Sequence, residues 1–185
     1  MKEILKYVGY YLRRVYRLSL SHKCYEDMLW ADLKKFHAEA AFNSGVFEKE
    51  KSIETHFEIA ENKLEKFYYQ VFDGCYHCRV KILHEFPTEY AIEVFVLASH
   101  FNNILSYGNV VINVKSNYVE YHYKRELLLP LLYNAELYNQ LVMHFNTAKD
   151  VYWAFKRLIE EQEAPAIIMA DLLRNKENKD NEAAE

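Results

Sequence analysis

The chain of 185 residues holds only four glycines and three prolines, beside 16 tyrosines and 11 phenylalanines. The glycines stand singly at Gly9, Gly45, Gly74 and Gly108, which excludes a phosphate loop or a dinucleotide-binding turn, because both cluster glycines so that backbone amides can approach phosphate. The formal charge of −4, from 23 Lys and Arg against 27 Asp and Glu, argues against nucleic-acid binding, where phosphate neutralisation calls for a basic excess.

Residues 3–20 carry Ile4, Val8, Tyr11, Val15 and Leu18 at helical spacing, with Leu5 and Leu12 beside them. Residues 1–23 contain six basic side chains against the single acid Glu3, a local +5. The stripe predicts a packed helix with a solvated basic face. The competing reading is a helix that meets a membrane surface or a partner. Gly9 has no role in either. A second helix is predicted over about 26–43, with Leu29, Leu33, Phe36 and Ala40 as its stripe, and Gly45 as its left-handed stop.

From Ile53 to Leu83 the apolar period changes from 3.6 to 2. His56–Ala60 reads as a short strand. Asp73-Gly74 is a two-residue hairpin turn, since both positions take positive φ. Centred there, Phe67, Tyr69, Val71, Tyr76, Cys78, Val80 and Ile82 share the core face. Pro87 opens a helix over about 88–105, with Val94, Leu97, Ala98, Phe101, Ile104 and Leu105 as its stripe and Gly108 as its stop. A second hairpin joins Asn109–Lys115 to Tyr118–Arg125. A two-residue loop at Ser116-Asn117 pairs Val114 with Val119, Ile112 with Tyr121 and Val110 with Tyr123.

The apolar run Leu127–Tyr133 contains Pro130, which forbids a helix interior or a central strand. It packs inside the chain or forms a contact with a partner or a second copy, so Leu128, Leu129, Leu131 and Leu132 are the candidate partner-binding residues. A long helix follows from Asn134 to about Glu163, with Leu137, Leu141, Phe145, Ala148, Tyr152, Phe155 and Ile159 as its buried stripe. A short helix, Ala166–Arg174, comes last. The fold class is thus α+β: an antiparallel sheet of about five strands against helices, with a long C-terminal helix. One domain spans 1–174, and the polar residues 175–185 form a disordered tail.

Cys75-Tyr-His-Cys78 is the one segment with the spacing of a metal or redox site. Residues three apart on a strand face opposite sides, which places Cys78 in the core and Cys75 on the other face. No second ligand pair and no nucleophile elbow accompany it, so no catalytic residue, metal or cofactor is assigned. Three cysteines, an odd number, fit a reducing cytoplasm better than a disulfide framework. No segment reaches the apolar length of a membrane span.

Phe101-Asn102-Asn103, Tyr107-Gly108-Asn109-Val110, and Val119-Glu120-Tyr121 followed by Lys124-Arg125, set in this order of elements, resemble the YbjN-like family of sensory transduction regulators, which is similar to the type III secretion chaperone fold. The resemblance covers roughly residues 26–160. It implies a non-enzymatic α+β module that binds a protein partner or itself as a homodimer, and it assigns no functional residue. The alternative is a small-molecule-binding or enzymatic domain with a tyrosine-lined pocket between sheet and helices.

Overall fold

The computed structural model describes residues 5, 8, 9, 12, 15, 16, 19–73, 75–126 and 134–182. The order of elements is α1 (His22–Glu39), β1 (Ser44–Phe47), β2 (Ser52–Ala60), β3 (Lys63–Phe72), β4 (Cys75–Leu83), a 3-10 turn (Thr88–Tyr90), α2 (Ala91–Ile104), β5 (Asn109–Asn113), β6 (Tyr118–Glu126), α3 (Asn134–Lys156) with a π-helical extension (Arg157–Glu161), and α4 (Pro165–Glu182). The strands form one antiparallel sheet in the order β1-β2-β3-β4-β6-β5. The fold class is therefore α+β, with one strand more than expected. The extra strand is β1, where the sequence suggested only a helix stop.

The chain divides into two compact units, each drawn from three stretches. One comprises 1–56, 66–78 and 124–144, and the other 57–65, 79–123 and 145–185. Neither is contiguous, which is why no composition shift or linker marks them.

In the first unit, Ser21 caps α1 through its hydroxyl, which accepts from the Cys24 amide. Leu29, Leu33 and Phe36 are buried as the stripe requires. The helix ends earlier than expected, at Glu39, and Ala41 rather than Gly45 takes the left-handed conformation, at φ 53°. Gly45 is released into β1, opposite Glu54 of β2. Lys51 joins the Glu26 and Asp27 carboxylates at 2.8 and 2.6 Å. The indole N–H of Trp30 donates to Glu48 at 2.9 Å, and Lys34 pairs with the same carboxylate at 2.8 Å.

Two residues separate β3 from β4, as the Asp-Gly pair demands. Asp73 has φ 49°, the sign a primed turn requires of its first central residue, while Gly74 lies outside the described residues. All seven residues of the expected core face are buried: Phe67, Tyr69, Val71, Tyr76, Cys78, Val80 and Ile82.

Other expectations need correction. The β5–β6 register pairs Ile112 with Val119 and Val110 with Tyr121, shifted by two from the register that a two-residue loop gives. The connection is longer, running from 114 to 117, and is closed by the Ser116 amide donating to Asn113 Oδ1 at 3.1 Å. A shift of two preserves the faces, so Val119, Tyr121 and Tyr123 remain buried. Val114 leaves the ladder and is exposed.

The buried line of α3 and its extension runs Leu137, Leu141, His144, Ala148, Val151, Phe155 and Leu158. The steps of four and three turn it away from the expected stripe, leaving Phe145, Tyr152 and Ile159 only half-buried. Gln162, at φ 56°, ends the π-helical turn. α4 continues to Glu182, so positions 175–182 are helical rather than a disordered tail.

Leu127–Tyr133, with the candidate residues Leu128, Leu129, Leu131 and Leu132, lies outside the described residues. Leu5, Val8, Gly9, Leu12, Val15 and Tyr16 are helical. They are also exposed, where the favoured reading packed this stripe.

Candidate functional site

Helix α2, in the second unit, carries Ile, Val, Phe, Leu and Ala on nearly every side and has no Lys or Arg. A helix this apolar all round normally lies in a core. Here one face is buried through Val94, Leu97, Ala98 and Phe101, with the Phe101 ring stacked on Phe155 at 6.2 Å. The other face is open: Ile92 is 75% exposed, Phe95 48% and Val96 42%. Their spacing of i, i+3 and i+4 puts them side by side.

Both ends of α2 are fastened. At its entrance the Phe86 amide donates to the Asn117 carbonyl at 2.7 Å, and the Asn117 amide group donates to Thr88 Oγ1 at 3.2 Å. At its exit the Asn102 side chain accepts from the Val110 amide at 2.7 Å and donates to the Val110 carbonyl at 3.0 Å. One side-chain amide thus completes both main-chain bonds of a residue on β5, the edge strand. Gly108, at φ 75°, lets the chain entering β5 lie close against β6. A Cβ there would stand 2.6 Å from the His122 carbonyl oxygen and 2.7 Å from the Tyr121 ring. Its role is this close approach rather than the helix stop expected of it, since α2 already ends at Ile104. The open face is therefore a fixed surface on a rigid element, the condition for a preorganised contact.

A polar aromatic cluster lies inside the first unit. His37 of α1 sets Nδ1 3.1 Å from Thr55 Oγ1 and 3.3 Å from Ser44 Oγ, and those hydroxyls are 2.7 Å apart across the β1–β2 ladder. Its ring is 5.4 Å from Tyr69. Tyr69 in turn lies 6.0 Å from His144, which stacks on Tyr76 at 6.1 Å. Burial pushes His37 down to about 4 and His144 down to about 3, because an imidazolium loses its hydration there. Both are neutral at physiological pH. Both are also closed to solvent, so the cluster is a core element and not an acid–base site facing a substrate. Periodicity missed His144 because histidine does not count as apolar. Its signal was its place in the alternating steps of four and three.

Glu65, in the second unit, is buried and takes Lys63 at 2.9 Å and His84 Nε2 at 2.9 Å. The imidazole of His84 is largely exposed, so a buried carboxylate orients a solvent-facing ring, an arrangement able to move a proton. His122 faces away from the core tyrosines, as its alternation with them requires, and holds Glu120 at 2.7 Å.

Cys24, Cys75 and Cys78 are all free thiols. Cys75 is buried along with Cys78, where strand alternation had set it opposite the core. Among the described residues no three His, Cys, Asp or Glu side chains converge as a metal site, and no helix is long and apolar enough to cross a membrane.

No family model matches the chain, and no curated protein is similar enough to count as a relative.

Proposed function

We propose that this protein is a non-enzymatic interaction module of the cytoplasm, chaperone-like or regulatory. Its docking surface is the open face of α2. The observation that carries the reading is the exposure of Ile92, Phe95 and Val96 on a helix clamped at both ends. Contiguous apolar surface on a rigid element marks a contact site, since leaving it in water forgoes stabilisation. A fully buried Ile, Phe or Val contributes about 1.5–3 kcal/mol, so covering three partly exposed ones supplies about 4 kcal/mol toward association.

The absence of Lys and Arg on α2 points to a partner recognised by shape and apolar area, such as the apolar face of a helix on another protein. Leu128, Leu129, Leu131 and Leu132 are the second anchor in this reading. The kinship with the YbjN-like family belongs to the same proposal. It is supported by the positions of two residues of the resemblance: Asn102 fastens α2 to the edge strand β5, and Gly108 lets the chain entering β5 lie against β6.

Quantitative co-purification from the native cell tests the proposal, comparing wild type with an Ile92→Asp, Phe95→Asp double variant. One protein species, or the chain itself, is expected in stoichiometric amount with wild type and depleted with the variant. Equal recovery with both proteins overturns the reading. The rival enzymatic reading is favoured only by the Glu65-oriented His84. It predicts a turnover that His84→Gln abolishes while the α2 double variant leaves it intact.

A further inference from the structure

We infer that the N-terminal segment is an interfacial helix for an anionic phospholipid surface. Leu5, Val8, Leu12, Val15 and Tyr16 are helical and stand in solvent, with Leu5 66% and Leu12 63% exposed. Their spacing of three, four, three and one lays them along a single stripe. A stripe of Leu and Val in water needs an apolar host, and the charge of the segment selects which one.

Residues 1–23 carry +5, from six basic residues and one acid. The whole chain carries −4, so residues 24–185 carry −4 − 5 = −9. As a sequence pattern with a period of about 3.6, Lys6, Arg14 and Arg17 fall opposite the stripe and Lys2 and Arg13 on its flank, the distribution expected of a helix lying flat in a headgroup layer. A second copy of the same helix would bring four net positive charges against four, since Lys23 belongs to α1, and this opposes pairing. An acidic protein face would satisfy the charge and leave the stripe wet. An anionic bilayer accepts both at once: acyl chains take the leucines and valines, phosphates take the Lys and Arg, and the acidic remainder is turned away.

Gly9 acquires a role in this account. It is helical, and a Cβ there would meet nothing within 4 Å. A glycine inside a helix that packs on nothing lowers its helicity in water. The segment therefore pays part of its ordering cost on reaching the surface, which keeps attachment reversible.

The test is co-sedimentation of the full chain with vesicles of phosphatidylcholine alone and of phosphatidylcholine mixed with phosphatidylglycerol, at low and high salt. Wild type is expected on the mixed vesicles only, with binding that weakens as salt rises. Arg13→Gln with Arg14→Gln weakens it about 25-fold, since each basic residue near an anionic surface contributes about fivefold. Leu5→Ser with Leu12→Ser weakens it about tenfold or more. Gly9→Ala strengthens it severalfold by raising helicity, and this variant has no route to misfolding through a clash. Equal binding to both vesicle types, or no binding to either, overturns the inference. A wild-type dimer that dissociates on Leu5→Ser with Leu12→Ser, read by light scattering, also overturns it by identifying a second copy as the host.

Discussion

Acidification is expected to destabilise the first unit through His37 and His144. Their pKa values fall from 6.5 to about 4 and about 3 in the folded chain, because burial removes water from the charged form. A histidine whose folded pKa is depressed binds its proton more readily when unfolded. Its stabilising contribution is complete above about pH 6.5 and shrinks as pH falls toward the folded pKa. Between about pH 7 and about pH 5 each group loses about 2 kcal/mol, and the pair about 4 kcal/mol, a large part of the stability of an ordinary domain. Asp27 and Glu48 are held below the usual carboxylate range by Lys51 and Lys34 respectively. Both stay ionised across this window and leave the slope to the histidines. Urea unfolding followed by near-ultraviolet circular dichroism, which reports on the packing of the aromatic side chains, Tyr69 and Tyr76 among them, measures the loss at several pH values. Substituting His144→Phe keeps a ring against Tyr69 and Tyr76 and removes one titrating group. The pH slope is then expected to fall to about half. A wild-type stability unchanged between the two pH values, or a His144→Phe variant as acid-sensitive as wild type, would refute the assignment.

Gly108→Ala is expected to destabilise the second unit by about 3 kcal/mol or more, because it combines positive φ with a collision against a main-chain oxygen; thermal unfolding measures it. Asn102→Leu removes both bonds to Val110 and is expected to cost about 2 kcal/mol, with faster amide exchange at Val110 as the local sign. Arg157 bonds Asp171 at 3.1 Å, meets Glu163, and lies over the Trp153 ring at 4.6 Å. Arg157→Leu is therefore expected to lower the unfolding midpoint at low salt and to lower it less at high salt.

The central hairpin was legible because two independent signals agreed. Asp73-Gly74 set the turn, strict alternation set the face, and all seven assigned core positions are buried. The second hairpin had only alternation to guide it. Alternation fixes which face a residue takes but leaves registers two apart equivalent, and the shift follows from that ambiguity. On α3 an apolar count could not place a histidine in the core, so His144 was lost and the stripe was drawn along Phe145 and Tyr152. Strand β1 is four residues long with three of them exposed, so it carries no periodicity to read. The open face of α2 escaped for a different reason. The covered face was legible as Val94, Leu97, Ala98 and Phe101, all of them buried, but a stripe that names the covered face does not say whether the apolar residues beside it, Ile92, Phe95 and Val96, are covered as well.

Site-specific photo-cross-linking at position 95, in the cell that makes the protein, tests the central claim most directly. A photoreactive phenylalanine there keeps the shape of Phe95, and the same group at the exposed Glu58 of β2 serves as the control. The account predicts one discrete adduct from position 95 that disappears when Ile92→Asp is added, and none of that species from position 58. The same adducts from both positions, or none from position 95, would contradict it.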